Sequence, residues 1–478
     1  MAITAPDPAR LLELSHAAWD DEIIPALTDY IRIPAKSKAF DADWEAHGHL
    51  DAAVELIRAW CAARPIEGLT VEVVRLPGLT PVILMEVPAT AGSGAVTDDT
   101  VLLYGHLDKQ PEMVGWRDGL GPWTPVRDGD RLYGRGGADD GYAAFAALTA
   151  IESLQRVGAP HGRCVVLVEA SEESGSPDLP AYVEALAARI GDPSLVVCLD
   201  SSCATWDRLW VTTSLRGLAS GTLDVEVLRH GVHSGAASGV VPSSFRILRR
   251  LLDRIEDPDT GEILVPELHV ELDDDIVARA RATADELGDA LLRWPFAGGT
   301  QPMADDPLEA LLNRTWRPTL STVGIDGVPS IADGGNVLRP HTAASLSFRL
   351  PPTCDPDAAA AALAARLTAD PPHGAVVRFD VHETAPGWSA PPLAPWLADA
   401  LDAASEATFG GPARFTGEGG SIPFMGMLGE RFPAAQFVVT GLLGPGSNAH
   451  GPNEFVDIPT GRRLTAAVSS LLHAHATR

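Results

Sequence analysis

The sequence predicts an α/β protein in which a catalytic domain on a mixed, mostly parallel sheet is interrupted by a ferredoxin-like α+β domain. Three observations carry this. From about residue 69 to 213 short apolar runs alternate with helical ones, near residue 216 the order becomes β-α-β-β-α-β, and from about residue 386 the first style returns. At 478 residues the chain also exceeds the size at which one core stops growing. The expected division is 1–214 and 386–478 for the catalytic domain, with 215–385 as a lid and dimerisation domain.

The elements follow in chain order. The first residues lack a basic stretch followed by an apolar one, so export is not expected; Leu11, Leu12, Leu14 and Trp19 mark an amphipathic helix instead. LTVEVVRL, PVILMEV, TVLLYGH, RCVVLVEA, SLVVCLD and RLWVTTS read as strands, with helices near 141–157 and 178–190. Runs apolar on both faces and separated by helices suit a parallel sheet, where ligands gather beyond the carboxyl ends of the strands. The inserted pattern has strands GLASGTLDVEVL, TLSTVGI, AASLSFRL and AVVRFDVHE. Its helices are VPSSFRILRRLLDRI, with Phe245, Leu248, Leu252 and Ile255 on one face, and DAAAAALAARLTA. Residues 256–318 form a partly helical insertion carrying acidic runs, Trp294 and Trp316.

Composition narrows the function. Hydrophobic residues make up 45% and no run of 18 apolar residues occurs, so no membrane segment is expected. The net charge of −28 would repel nucleic acid and reads as a solvated surface. Five cysteines, odd in number and without a CxxC pair, predict reduced thiols in a cytoplasmic protein.

The chemistry lies at strand ends. His106 follows VLLYG, Asp139 stands in GRGGADDG, Glu173 in VLVEASEESGS, Asp200 after LVVCL and His450 in GSNAHGPNE. Two imidazoles, two terminal carboxylates and one shared carboxylate suit a pair of divalent ions with room for a bridging water, the open coordination of hydrolytic sites. Asp108 is two residues beyond His106, placed to accept the second imidazole N–H or to brace the metal shell. The glycines of Gly134-Arg135-Gly136-Gly137 fail the dinucleotide spacing and are expected to bend the chain so that Asp139 is aimed between the ions. Glu172 and Glu173 are adjacent, so their side chains diverge: one binds metal and the other works on water. No G-x-S-x-G elbow is present.

These pieces resemble the M20 metallopeptidases, in the branch of cytosolic non-specific dipeptidases and carnosinases. The resemblance spans roughly residues 10–475 and rests on GHLDKQPE, the stretch from Gly115-Trp116 to Pro125 leading into RLYGRGGADD, EASEESGS, CLDSS, SLRGL, RHGVHSGAASGVVP, FRLPP, GEGGSIPF and NAHGPNE. It implies that Asp139 bridges two ions, with His106 and Asp200 completing one site and Glu173 and His450 the other. Zinc is the expected metal, with manganese or cobalt as substitutes. It implies Glu172 as general base, a cis Asp139–Asp140 peptide, and a homodimer in which His233 polarises the scissile carbonyl in its partner's site. Arg349, with Asn336 nearby, would clamp the carboxylate of a dipeptide or similar small amide, and Gly420 and Ser421 would contact the same end. Arg216 reads as hinge packing. The chain departs from the pattern at Gly141-Tyr142, where relatives carry Lys-Gly, and at His382, which is out of step; Lys109 after Asp108 and Asn336 in place of a Thr are smaller departures. The alternatives are an N-acyl-amino-acid deacylase or carboxypeptidase on the same scaffold and, in another class, a metal-stabilised peptide-binding protein without catalysis.

Overall fold

The computed structural model describes residues 6–90, 99–420 and 422–478. The chain forms two compact units, one of Met1–Thr212, Ala390–Phe415 and Met427–Arg478, the other of Thr213–Ser389 and Thr416–Gly426. The segment Thr416–Gly426 thus clusters with the inserted unit rather than with the residues flanking it.

In the first unit the strand order is Thr70–Val74, Val82–Val87, Arg163–Glu169, Thr100–His106, Leu195–Cys198, Gln436–Val439. The last four run parallel, and the first two form an antiparallel edge. The mixed sheet expected from the sequence is therefore present, with parallel pairing confined to these four strands; Trp210–Leu215 continues it antiparallel to Gln436–Val439. Leu195–Cys198 is buried throughout and Arg163–Glu169 at all but its first residue, as strands covered on both faces must be. The covering helix Ala143–Val157 is buried continuously from Ala143 to Leu154 and ends on left-handed Gly158. Its alanines let Ile458–Thr477 pack closely against it, and that helix also meets Pro395–Phe409. Asp457 caps Ile458–Thr477 by accepting the Thr460 N–H at 2.9 Å. Each Leu or Val buried in this layer contributes about 1.5–3 kcal/mol, which makes the sheet a rigid base for its loops.

In the second unit the chain order is strand, helix, two strands, helix, strand, as the pattern predicts. The sheet order is Thr319–Asp326, His341–Leu350, Gly217–Glu226, Val376–Ala385, all antiparallel. Gly217–Glu226 alternates buried and half-buried residues, as a strand with one covered face does. The helix after it corrects one expectation. It runs Ser244–Leu252 and buries Ile247, Leu248 and Leu251, with Ile255 in the turn beyond, while Phe245 is 40% exposed. The Asp274–Leu287 and Pro307–Thr315 helices of the insertion share a small core with Trp316. Among the described residues no helix is long and apolar enough to cross a membrane, and the five cysteines are buried and form no disulfide.

Candidate metal centre

Parallel pairing brings three strand ends to one edge of the first unit. His106 stands opposite Glu169, and Tyr104 opposite Cys198, so the residues just beyond these strands, Glu172, Glu173 and Asp200, converge on His106. His106 is 1% exposed. Its Nδ1 lies 3.1 Å from the Asp108 carbonyl oxygen and 3.5 Å from the carboxylate. A carbonyl only accepts, so Nδ1 carries the proton and Nε2 presents its lone pair. That lone pair faces Asp139 Oδ1 at 3.4 Å, Asp200 Oδ1 at 3.6 Å and Glu172 Oε2 at 3.9 Å. The other oxygen of Asp139 lies 3.0 Å from His450 Nε2, which is 3.3 Å from Glu173 Oε2. Two donor groups result, His106–Asp139–Asp200 and Asp139–Glu173–His450, and Asp139 belongs to both.

Imidazole lone pairs facing carboxylates repel unless a cation stands between them. Burial opposes charge on His106, yet Asp200, Asp108 and Asp139 raise its pKa well above the ordinary value; His450 is raised the same way, against burial, by Asp139. Burial, then Asp200, pushes Glu172 and Asp140 up, and burial, then Asp139, pushes Glu173 up. Burial raises Asp200 to about 6. Burial would raise Asp139 as well, but the two imidazoles outweigh it and hold its carboxyl far below the usual range. Among the described residues His106 Nε2, Asp139 Oδ2 and Glu173 Oε1 are buried without a hydrogen-bond partner. Each donor group contains two of these orphaned residues, and its three members mix imidazole with carboxylate, a set that fits a divalent ion.

Residues outside the donor set hold this geometry, and most were not foreseen. The Asp108 carboxylate accepts the backbone N–H groups of Glu172 at 3.1 Å and Glu173 at 3.0 Å, so it anchors the Glu pair, while its carbonyl takes the nearer contact to the imidazole. Gln110 donates to Glu173 Oε2 at 2.6 Å, and Asp140 Oδ2 accepts the His106 N–H at 3.3 Å. Arg135 and Glu454 form a buried ion pair at 2.5 Å; Glu454 also accepts the Gly136 N–H at 2.8 Å, and Arg135 donates to the Gly451 carbonyl at 2.8 Å. This pair ties the loop of Asp139 to the loop of His450. The only signal in the sequence was that both charges sit inside glycine-rich motifs.

The departures from the family pattern have physical reasons. A Cβ on Gly141 would lie 2.2 Å from Tyr30 Cε1 and 2.6 Å from the Gly136 carbonyl, so nothing larger fits. The next residue, Tyr142, is buried and donates to the Leu199 carbonyl. Lys109 is buried and donates to the carbonyls of Tyr30 and Ile33, both at 2.8 Å, capping the end of Ile24–Ile31. The Asp139–Asp140 peptide is cis.

The remaining expected residues lie in the second unit. His233 pairs with Val337 on a short ribbon, and Ser234 N–H donates to the Asn336 carbonyl at 2.9 Å, so His233 and Asn336 are neighbours. Arg349 is half-buried opposite Leu218 and Thr319. The Gly420 carbonyl accepts the Arg216 N–H at 3.0 Å. Ser421 lies outside the described residues. His382 is exposed at the point where the register of its strand shifts, between Val381 and Glu383.

The chain is similar to several known proteins. A cysteinylglycine-S-conjugate dipeptidase of Corynebacterium striatum is 28% identical over 371 residues, covering 75% of this chain and 77% of that one. A Cys-Gly metallodipeptidase of Schizosaccharomyces pombe is 26% identical, covering 75% and 76%. The structure of a dipeptidase from Saccharomyces cerevisiae superposes with a TM-score of 0.77 at 22% identity, covering 99% of each chain, and that of human carnosine dipeptidase 1 with 0.74 at 21%, covering 98% and 99%. The model of peptidase family M20/M25/M40 matches residues 102–474, and the chain belongs to that family.

Proposed function

We propose that the protein is a two-metal dipeptidase that cleaves the amide bond of dipeptides or similarly small substrates bearing a free carboxylate. The observation that carries this reading is Asp139, which turns one oxygen toward each of two imidazoles, each completed by a further carboxylate. His106, Asp139 and Asp200 would hold one ion and Asp139, Glu173 and His450 the other, with zinc favoured by the mixed donors and manganese or cobalt able to replace it. Bound divalent ions would polarise the scissile carbonyl and acidify water. Glu172, half-buried beside His106 but outside both donor groups, takes the proton from the attacking water and returns it to the leaving amine. Asp108 holds Glu172 in place through its backbone N–H. The names of the relatives from Corynebacterium striatum and Schizosaccharomyces pombe favour a dipeptide over an N-acyl amino acid.

The same reading assigns the substrate-binding residues. Arg349 clamps the substrate carboxylate, Asn336, Gly420 and Ser421 line that end, and His233 serves the partner's site in a homodimer. The edge strand Thr319–Asp326 leaves Val323 65% and Ile325 48% exposed, a surface suited to a second copy. The test is Glu172→Gln in metal-loaded protein, assayed on dipeptides and N-acyl amino acids. Two bound ions with kcat reduced about 10²–10⁴-fold support the assignment; undiminished turnover removes Glu172 as the base. Faster hydrolysis of N-acyl amino acids than of dipeptides would move the protein to the deacylases.

A further inference from the structure

The inserted unit contains a cavity of about 930 Å³, within the size range of small-molecule sites, formed between the 256–318 insertion and the segments flanking it. Its lining combines exposed apolar side chains with arginines. One wall carries Trp294, Phe296 and Met303, which are 61%, 40% and 80% exposed. Scattered exposed apolar residues are ordinary, but a Trp, a Phe and a Met gathered around one concave surface form an unsatisfied apolar patch. Met adds a flexible, polarisable contact suited to aromatic or aliphatic ligands.

The lining also carries charge, from Arg216, Arg314 and Arg317 and from Glu262 and Glu309. Arg314 lines the cavity, and among the described residues its side chain forms no hydrogen bond and no ion pair. Arg216, also on the lining, is held in place by the Gly419 carbonyl at 3.0 Å and Thr319 Oγ1 at 3.1 Å. A third arginine on the wall, Arg317, is already matched by Glu309 at 2.7 Å. Desolvation lowers the pKa of Arg216 to about 10, and the neighbouring charges of Arg349 and Arg314 add to that. Desolvation also lowers Arg314, with Glu418 opposing in part.

We propose that this cavity binds a small amphipathic carboxylate, an aromatic or medium-chain acid, whose carboxylate pairs with Arg314 and whose tail lies against Trp294, Phe296 and Met303. Cavity size sets the ligand's bulk, the apolar wall excludes a purely ionic ligand, and Arg314 sets the sign of its head. Binding here does not depend on hydrolysis at the metal centre.

The test is calorimetric titration of the full-length, metal-loaded protein with 4-phenylbutyrate, using acetate as a control without a tail. Saturable binding of 4-phenylbutyrate is expected, with acetate at least about tenfold weaker. Arg314→Gln and Met303→Glu are each expected to raise Kd about tenfold or more, since one removes a charge-assisted pair and the other puts an acid beside the tail. Asp139→Asn, which disables the metal centre, should leave this affinity unchanged. Met303 is 80% exposed, and an unchanged thermal midpoint of each variant would show that folding is intact. No binding at about ten millimolar, equal affinity for acetate, loss of binding in Asp139→Asn, or indifference to either cavity substitution would each overturn the proposal, the third by assigning the ligand to the metals.

Discussion

Replacing Arg135 with methionine is expected to destabilise the first unit and to weaken metal binding at the His450 side. Arg135 is 1% exposed and Glu454 fully buried, and they pair at 2.5 Å. Removing one partner of a buried ion pair costs roughly 3–5 kcal/mol, because the other charge is left without compensation. Two features place the expected loss near the lower bound, about 3 kcal/mol. Glu454 keeps the Gly136 N–H at 2.8 Å, and burial already raises its carboxyl to about 7 against the pull of Arg135, so it can take up a proton once the guanidinium is gone. The Gly451 carbonyl loses its donor at the same time, which frees the turn that holds His450 at a positive φ of 62°. Loss of support of this kind weakens metal affinity about 10–100-fold. Urea unfolding in the presence of a chelator reads the stability term without metal linkage, and calorimetric zinc titration reads the second. A loss under about 1 kcal/mol together with two ions bound at parental affinity would refute the role given to the pair. The double variant Arg135→Met, Glu454→Leu should recover much of the stability, since apolar replacement of a buried pair is often neutral, but not the zinc affinity.

Gly141→Ala is expected to cost about 1–3 kcal/mol and to lower activity, because its Cβ would stand 2.2 Å from Tyr30 Cε1 and push the Asp139–Asp140 segment; parental stability would refute the close approach. Asp139→Asn should release both ions together, whereas Asp200→Asn should release one preferentially, as metal analysis after dialysis can show. Stability should fall in acid through His475. Burial lowers its folded pKa from 6.5 to about 4, with Arg478 adding to that, so the native state stays neutral while the unfolded chain takes up a proton. The contribution is intact above about 6.5 and declines progressively as pH falls toward 4, by up to about 3 kcal/mol. Urea midpoints of the parent and of His475→Gln should converge over that window, and parallel pH dependence would sink the assignment.

Features set by local pattern were legible in the sequence. A strand buried on both faces must be apolar along its length, so LVVC and VVLVE declared the parallel sheet, and the polar residue that ends such a run stands at the ligand-binding edge. His106 and Asp200 were found in this way. Phe245 was misassigned because an apolar residue in the first turn of a helix can fit the periodicity yet lie before the packed face begins, which here starts at Ile247. The register shift at His382 was not legible, because a bulge breaks the alternation on which a strand is read and no residue type announces one.

What could not be read locally were the contacts that make donors into a centre. Arg135 and Glu454 lie 319 positions apart, and each taken singly is an ordinary charged residue in a loop. Only folding shows that they are buried together, and only burial makes them expensive to break. Asp108 makes the same point at short range. Its spacing from His106 suggested a carboxylate bracing an imidazole, but its carbonyl takes the closer imidazole contact and its carboxylate receives two N–H groups from the Glu172–Glu173 turn. Identity and spacing predicted which residues gather, because each chemical type is scarce at strand ends. They left open which atom of each residue does what, because that depends on where the backbone of another segment passes. The donor set is thus a property of motifs, and its rigidity a property of the tertiary contacts between them.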